Sequence, residues 1–131
     1  MPSGEPPVGS ALGATPLYEL KAEFFRALGH PARIRVLELL SVEERPVGAL
    51  AAEVGLEAAH LSQHLGVLRR VGVVVTRKQG NSVIYRLAAP EVADLLAVAR
   101  HVLTEVLSGQ VQMWHDLQDP SPRRTRVKSR T

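Results

Sequence analysis

The residues best suited to chemistry lie together in the stretch Ala59 to Arg70, A-H-L-S-Q-H-L-G-V-L-R-R. His60, Ser62, Gln63 and His64 donate and accept hydrogen bonds without a fixed charge. Ala59 and Gly66 beside them are small, and Arg69 and Arg70 close the stretch. Such groups on one face suit close approach to base edges in a DNA groove, where Gln, Ser and His can donate or accept. An ordinary surface helix would carry Glu and Lys pairs there. Other chemistries find less support. The chain has no cysteine, which removes disulfides, thiolate metal ligands and thiol redox sensing together. It has no Gly-x-Ser-x-Gly stretch and no phosphate-binding glycine run, and no clear carboxylate orients His60 or His64. No catalytic residue and no cofactor are therefore expected, and the chain is not read as an enzyme. His101 and Glu105 stand at i, i+4, and His115 adjoins Asp116. Two ligands per helix are too few for a metal unless a dimer completes the set. The expectation is no metal site, with a metal-sensing repressor using these ligands as the alternative.

The polar residues need a scaffold. Leu61, Leu65 and Leu68 fall at i, i+4 and i+7, which puts them on one stripe of a helix over the stretch from Gly55 to Arg70. Before it, Val47 to Val54 is a short amphipathic segment with Val47, Leu50, Ala51 and Val54 on one stripe. Gly55 then interrupts, as a residue leaving a helix in the left-handed region would. Helix, short glycine turn, second helix is the helix-turn-helix pattern, whose second helix enters the major groove N-terminus first.

The stretch after Arg70 is β-rich. Val73 to Lys78 reads V-V-V-T-R-K, Ser82 to Leu87 reads S-V-I-Y-R-L, and Gln79-Gly80-Asn81 supplies a turn. A hairpin appended to a helix-turn-helix is a wing. Arg77 and Lys78 are expected at its tip, with Gln79 and Asn81, in reach of phosphates.

Upstream, Thr15-Pro16 is a helix start, with a capping hydroxyl and then a first-turn proline. Leu17, Leu20, Phe24 and Leu28 come next at helical spacing, Phe25 widens the stripe, and Gly29 ends it. His30 is read as the N-cap of a next helix opened by Pro31. Ile34, Leu37 and Leu40, with Val36 beside them, would be its buried side, and Arg33 and Arg35 would face outward. Glu43-Glu44-Arg45-Pro46 reads as a polar connector. Pro90 begins a long last helix with Val92, Leu95, Leu96, Ala99, Val102, Leu103 and Val106 on a wide apolar stripe, which Met113, Trp114 and Leu117 continue. That surface exceeds what a small winged domain needs for its own core, so self-association is expected. The expected seam is Leu17, Leu20 and Phe24 with Leu95, Leu96, Ala99, Val102, Leu103 and Val106.

Charge is segregated along the 131 residues. Residues 1–56 carry five basic and seven acidic groups, net −2; residues 57–86 carry five against one, net +4; residues 87–119 carry one against five, net −4; residues 120–131 carry five and none, net +5. Positive charge thus falls on the recognition unit and the tail, the footprint of a phosphate-backbone binder. No run approaches 18 apolar residues and no secretory signal is visible, so a cytoplasmic, nucleoid-associated protein with no membrane contact is expected. Residues 1–14 read as a disordered arm, 15–118 as the DNA-binding and dimerisation domain, and 119–131 as a disordered basic tail.

The sequence resembles the ArsR-type (ArsR/SmtB) bacterial transcriptional repressors from roughly Leu17 to Leu107. The resemblance rests on F-F-R-A-L-G-H-P-A-R-I-R-V-L-E-L-L (24–40), H-L-S-Q-H-L-G-V-L-R-R-V-G-V-V (60–74) and R-K-Q-G-N-S-V-I-Y-R-L (77–87) together. It implies a mainly α winged helix-turn-helix of order α-α-α-α-β-β-α, paired as a homodimer through first and last helices. It also implies binding to double-stranded DNA at an inverted-repeat operator, with His60, Ser62, Gln63 and His64 facing DNA and the wing on the backbone. Where some metal-sensing members carry cysteines, this chain has Val47, Gly48, Ala49 and Leu50. Where others carry an Asp-x-His pair and a second ligand pair eleven residues on, it has Ala99 before His101 and Gln112 after it. Glu57 replaces the Ser with which many members start the recognition helix. A nucleoid protein that binds DNA without sequence choice is a further alternative; the specificity ratio against random DNA separates the two.

Overall fold

Burial is concentrated where the leucine spacing places it. A computed structural model describes residues 13–118. The expected arm, over residues 1–12, and the expected tail at 119–131 lie outside the described residues. Gly13 and Ala14, assigned to the arm by sequence, are helical. In chain order the elements are α1 (Leu17–Leu28), α2 (Pro31–Val42), β1 (Arg45–Pro46), α3 (Val47–Val54), α4 (Ala58–Arg70), β2 (Val74–Gln79), β3 (Ser82–Leu87) and α5 (Glu91–Gln118). The expected α-α-α-α-β-β-α order holds, with β1 added.

Local chemistry explains most boundaries. Gly55 leaves α3 with φ 79°, a left-handed conformation that costs a residue without Cβ little. Gly80 has φ 64° and Asn81 has no positive φ, so the hairpin turns on two residues with glycine first, the pattern of a type II′ turn. Gln79 is the last residue of β2 rather than part of the turn. His30 caps α2 as expected: the Ala32 N–H donates to its Nδ1 at 3.0 Å, and Pro31 takes the first helical position. At α1 the cap position belongs to Pro16, with no side-chain cap bond, rather than to Thr15. Proline's fixed φ suits that position, and its carbonyl accepts from the N–H groups of Glu19 and Leu20.

The connector before α3 is partly a strand. Arg45 and Pro46 pair antiparallel with Tyr85 and Ile84, so the sheet runs β1-β3-β2. Proline is tolerated there because β1 is an edge. Two residues are too short to show a strand period, which is why the sequence reads only as a polar link. Arg45 also reaches across to Glu53 of α3, with Nη1 to Oε1 at 2.6 Å.

The core draws on α2, α3, α4 and the base of the hairpin. Val36, Leu37, Leu50, Leu61, Leu65 and Leu68 are fully buried, and Val73, Val74, Ile84 and Tyr85 are buried beside them. Leu39 joins Val36, Leu37 and Leu40 on the inner side of α2, while Ile34 is only half-buried. Burying each of the three α4 leucines contributes roughly 1.5–3 kcal/mol. In α1, Ala27 and Leu28 are buried, Leu20 and Phe24 half-buried, and Leu17 and Phe25 exposed.

The chain divides at Ala93 into two compact units. The second consists, among the described residues, of α5 from Asp94 onward. No residue of α5 is buried within the single chain. Leu95 and Leu96 are half-buried; Ala99, Val102, Leu103 and Val106 are exposed, as are Met113, Trp114 and Leu117 beyond them. No helix among the described residues is long and apolar enough to cross a membrane.

Candidate nucleic-acid interface

With Leu61, Leu65 and Leu68 committed to the core, helical periodicity turns the opposite side of α4 outward. Ala59, His60, Ser62, Gln63 and Gly66 are exposed, and Arg69 and Arg70 form an exposed basic end. Glu57 occupies the N-cap and makes no side-chain cap bond. The exposed face therefore holds short hydrogen-bonding side chains on a small-residue surface, with positive charge at one end.

His64 sits differently. It is half-buried, its ring lies 4.3 Å from that of His30, and its Nδ1 takes a hydrogen bond from Arg33 Nη1 at 3.1 Å. Arg33, expected to face outward, is half-buried and also donates through Nε to the Ala27 carbonyl near the end of α1. Sequence reading missed Arg33 because its two acceptors lie six and 31 positions away. Partial burial, then the charges of His30, Arg33 and His60, hold the His64 imidazole below its ordinary pKa.

The hairpin places its polar groups by strand alternation. Arg77 pairs with Ile84, Lys78 with Val83 and Gln79 with Ser82, so Arg77 and Gln79 share one face and Lys78 takes the other. Arg77 and Lys78 thus lie within β2, short of the tip, which is Gly80-Asn81. All of Arg77, Lys78, Gln79 and Asn81 are exposed. Arg77 grips Glu44 with both terminal guanidinium nitrogens, Nη1 to Oε1 at 2.6 Å and Nη2 to Oε2 at 2.9 Å, and Nη2 also donates to Gln79 Oε1 at 2.9 Å. The hydrogen bond from Arg77, with smaller help from the charges of Arg77 and Arg86, holds the Glu44 carboxyl below its ordinary pKa. Glu44 had no signal in the sequence beyond an acidic connector, because its partner is 33 positions downstream. Among the described residues no group of three or more His, Asp or Glu side chains converges as a metal site.

A tri-helical core with a glycine-turned helix pair, followed by a basic hairpin, is the winged form of the helix-turn-helix DNA-binding domain. Comparison with known proteins specifies the class further. Residues 28–77 match a helix-turn-helix domain model. The chain is 61% identical over 103 residues to the uncharacterized HTH-type transcriptional regulator Rv0081 of Mycobacterium tuberculosis, covering 78% of this chain and 90% of that one. The crystal structure of Rv0081 superposes with a TM-score of 0.71 at 62% identity, over 75% of this chain and 99% of that one. A homodimeric winged helix-turn-helix DNA-binding domain of Mycobacterium bovis, Mb0332, described as a possible ArsR-family regulator, matches with a TM-score of 0.66 at 31% identity, over 82% and 94% of the two chains. The biofilm growth-associated repressor of Agrobacterium fabrum is 40% identical over 75 residues, 57% of this chain and 64% of that one. The chain belongs to the ArsR-type winged helix-turn-helix transcriptional regulators, as a member without the cysteine and histidine metal motifs.

Proposed function

We propose that this regulator is a sequence-specific repressor that binds an inverted-repeat operator as a homodimer and is released without a metal signal. The observation that carries the DNA reading is the exposed face of α4. His60, Ser62 and Gln63 stand clear of the core beside Ala59 and Gly66, where base edges could approach. His64 borders that face. Arg77, Lys78, Gln79 and Asn81 on the hairpin, and Arg69 and Arg70 at the end of α4, supply phosphate contacts. Residues 120–131, with five basic groups and no acidic one, would add sequence-independent affinity. Such a protein works in the cytoplasm, at the nucleoid.

Two-fold pairing is supported by the apolar surfaces that a single chain leaves to water. α1 offers Leu17, Leu20 and Phe24; α5 offers Leu95, Leu96, Ala99, Val102, Leu103 and Val106. The homodimeric state of the Mycobacterium bovis domain supports the same assembly. Inverted half-sites require recognition helices about 34 Å apart, which a two-fold axis provides. Metal-independent release is supported by the residues at the places where sensing members carry ligands: Val47 to Leu50, Ala99 and Gln112.

Selection of bound duplexes from a random pool tests the proposal. The expected result is an enriched palindrome bound at least about 10³-fold more tightly than random DNA at the same salt. Enrichment of no sequence would favour a nucleoid protein. Zinc, nickel, cobalt, cadmium or arsenite at stoichiometric levels should leave that affinity unchanged. A loss above tenfold, reversed by a chelator and abolished by His101→Ala, would establish the metal-sensing alternative.

A further inference from the structure

Three elements meet at one polar junction beside the recognition helix. Arg33, in the first turn of α2, joins the Ala27 carbonyl of α1 to His64 Nδ1 of α4. The His64 ring rests 4.3 Å from His30, whose own Nδ1 is occupied in capping α2. We propose that His30, Arg33 and His64 form a proton-sensitive clasp that sets the seating of the recognition helix, and that protonating His64 opens it and lowers sequence-specific DNA binding. The inference rests on the reading of α4 as the DNA-recognition helix.

The chemistry is set by what a guanidinium can do. It only donates, so His64 Nδ1 must present a lone pair, and a neutral His64 carries its proton on Nε2. A second proton would go to Nδ1, the atom facing Arg33 Nη1 at 3.1 Å. The hydrogen bond would be lost, and two cations would be left in contact. Among the described residues no carboxylate acts on His64 to offset them. The titratable and charged groups acting on His64 are His30 at the head of α2, Arg33 within α2 and His60 on its own helix; none is a carboxylate. From α1 the junction receives a neutral carbonyl. The leucine stripe continues to hold α4 on the core, so opening the clasp changes the angle of the helix rather than unfolding it. Ser62 and Gln63 lie immediately before His64, so a change in that angle moves both.

Arg33 and His64 are positioning residues in this scheme. Because the folded state depresses the His64 pKa, folding favours the neutral ring. The clasp is whole above the ordinary histidine pKa, weakens as pH falls below it, and is fully open only below the depressed value. Acid also raises the positive charge of the whole protein, which strengthens attraction to any phosphate. The informative quantity is therefore the specificity ratio: affinity for a duplex enriched from a random pool divided by affinity for random-sequence duplex, at one salt concentration.

The experiment tracks that ratio in the full chain from pH 7.5 down past the midpoint of the His64 titration. The wild-type ratio should fall about tenfold, the size of one charge-assisted hydrogen bond. His64→Asn places an amide oxygen near the Nδ1 position and cannot titrate; whatever its value at pH 7.5, its ratio should stay flat as pH falls. Arg33→Lys keeps the charge but loses the fork that spans both acceptors; its ratio at pH 7.5 should already equal the wild-type value below the His64 midpoint. In the protein without DNA, the NMR titration of the His64 ring should have a midpoint below that of an unperturbed histidine, with amide shifts in α2 and α4 moving at the same midpoint. A wild-type ratio independent of pH, a fall that persists in His64→Asn, or a His64 titration that leaves α2 and α4 unmoved would each overturn the clasp. Absence of any duplex preference at pH 7.5 would instead overturn the DNA reading, and the titration would still decide the clasp.

Discussion

Two helices carry the same sequence signal and put it to opposite uses. α4 and α5 both show apolar residues at helical spacing. In α4 the stripe is sealed inside the chain: Leu61 and Leu68 are 0% exposed and Leu65 is 1% exposed. In α5 it is open: Val102 is 53%, Leu103 56% and Val106 47% exposed. Periodicity states that a helix has an apolar side; it does not state what covers that side. Where the chain supplies the cover, the opposite face is left outward. Where it does not, the apolar stripe itself is left outward. The difference predicts that substitutions in the two stripes fail in different ways.

Leu65→Ala is expected to have the largest effect on stability. It empties a fully buried site and should cost about 2–5 kcal/mol, read as a lower urea midpoint at fixed protein concentration. Leu103→Ala, at an exposed position, should leave the α4 core intact and act on assembly alone. A Leu103→Ala loss as large as that of Leu65→Ala, and independent of protein concentration, would erase the distinction between the stripes.

Leu103→Glu sharpens it. A carboxylate placed in a seam that a second copy would bury is unpaired there. Wild type should sediment at about 28 kDa at micromolar concentration, twice the 14.2 kDa chain mass, and the variant at 14.2 kDa. The variant should also lose roughly 10²–10⁴ in operator affinity, the linked second half-site contact. A 14.2 kDa species that binds a palindrome with full affinity would rule the dimer out.

The two stripes also show what a sequence discloses. Leu61, Leu65, Leu68, Gly55 and the His30-Pro31 start are governed by neighbours within one or two turns, so spacing and residue type were enough to place them. The hairpin was legible for the same reason, apart from the turn, where Gln79 stayed in the strand. What escaped depends on partners far along the chain. Arg33 reads as an outward cation until α4 brings His64 to it; Glu44 reads as a solvated connector until β2 brings Arg77; β1 exists because β3 has an edge to fill. For the proposed DNA face, the exposed residues of α4 were legible, and the inward commitment of His64 was not.

On the proposed DNA face of α4, Gln63 is the sharpest test of base readout. Gln63→Ala should weaken binding to the enriched duplex by about 1–3 kcal/mol and leave random-sequence affinity and the urea midpoint unchanged. Equal weakening on both duplexes would move Gln63 from base contact to backbone contact.

The smallest effect concerns the hairpin. Arg77 enters any DNA complex already paired. Its two hydrogen bonds to Glu44, at 2.6 and 2.9 Å, use the same fork that would grip a phosphate. Contact with DNA then exchanges a carboxylate for a phosphate instead of adding a contact to an idle cation. Arg77→Ala should weaken enriched and random duplexes equally and flatten the salt dependence by about one unit. Glu44→Gln keeps the side-chain shape and removes the competitor, so affinity for both duplexes should rise. The rise should stay below about tenfold, because exposed ion pairs are weak in water. Acid does not reproduce this change in the ordinary range. Arg77 holds the Glu44 carboxyl below its usual pKa, so the pair is intact above the carboxylate range and is lost only as pH falls through the depressed value. A Glu44→Gln variant that binds both duplexes more weakly would show that Glu44 aims Arg77 at the phosphate and does not compete with it.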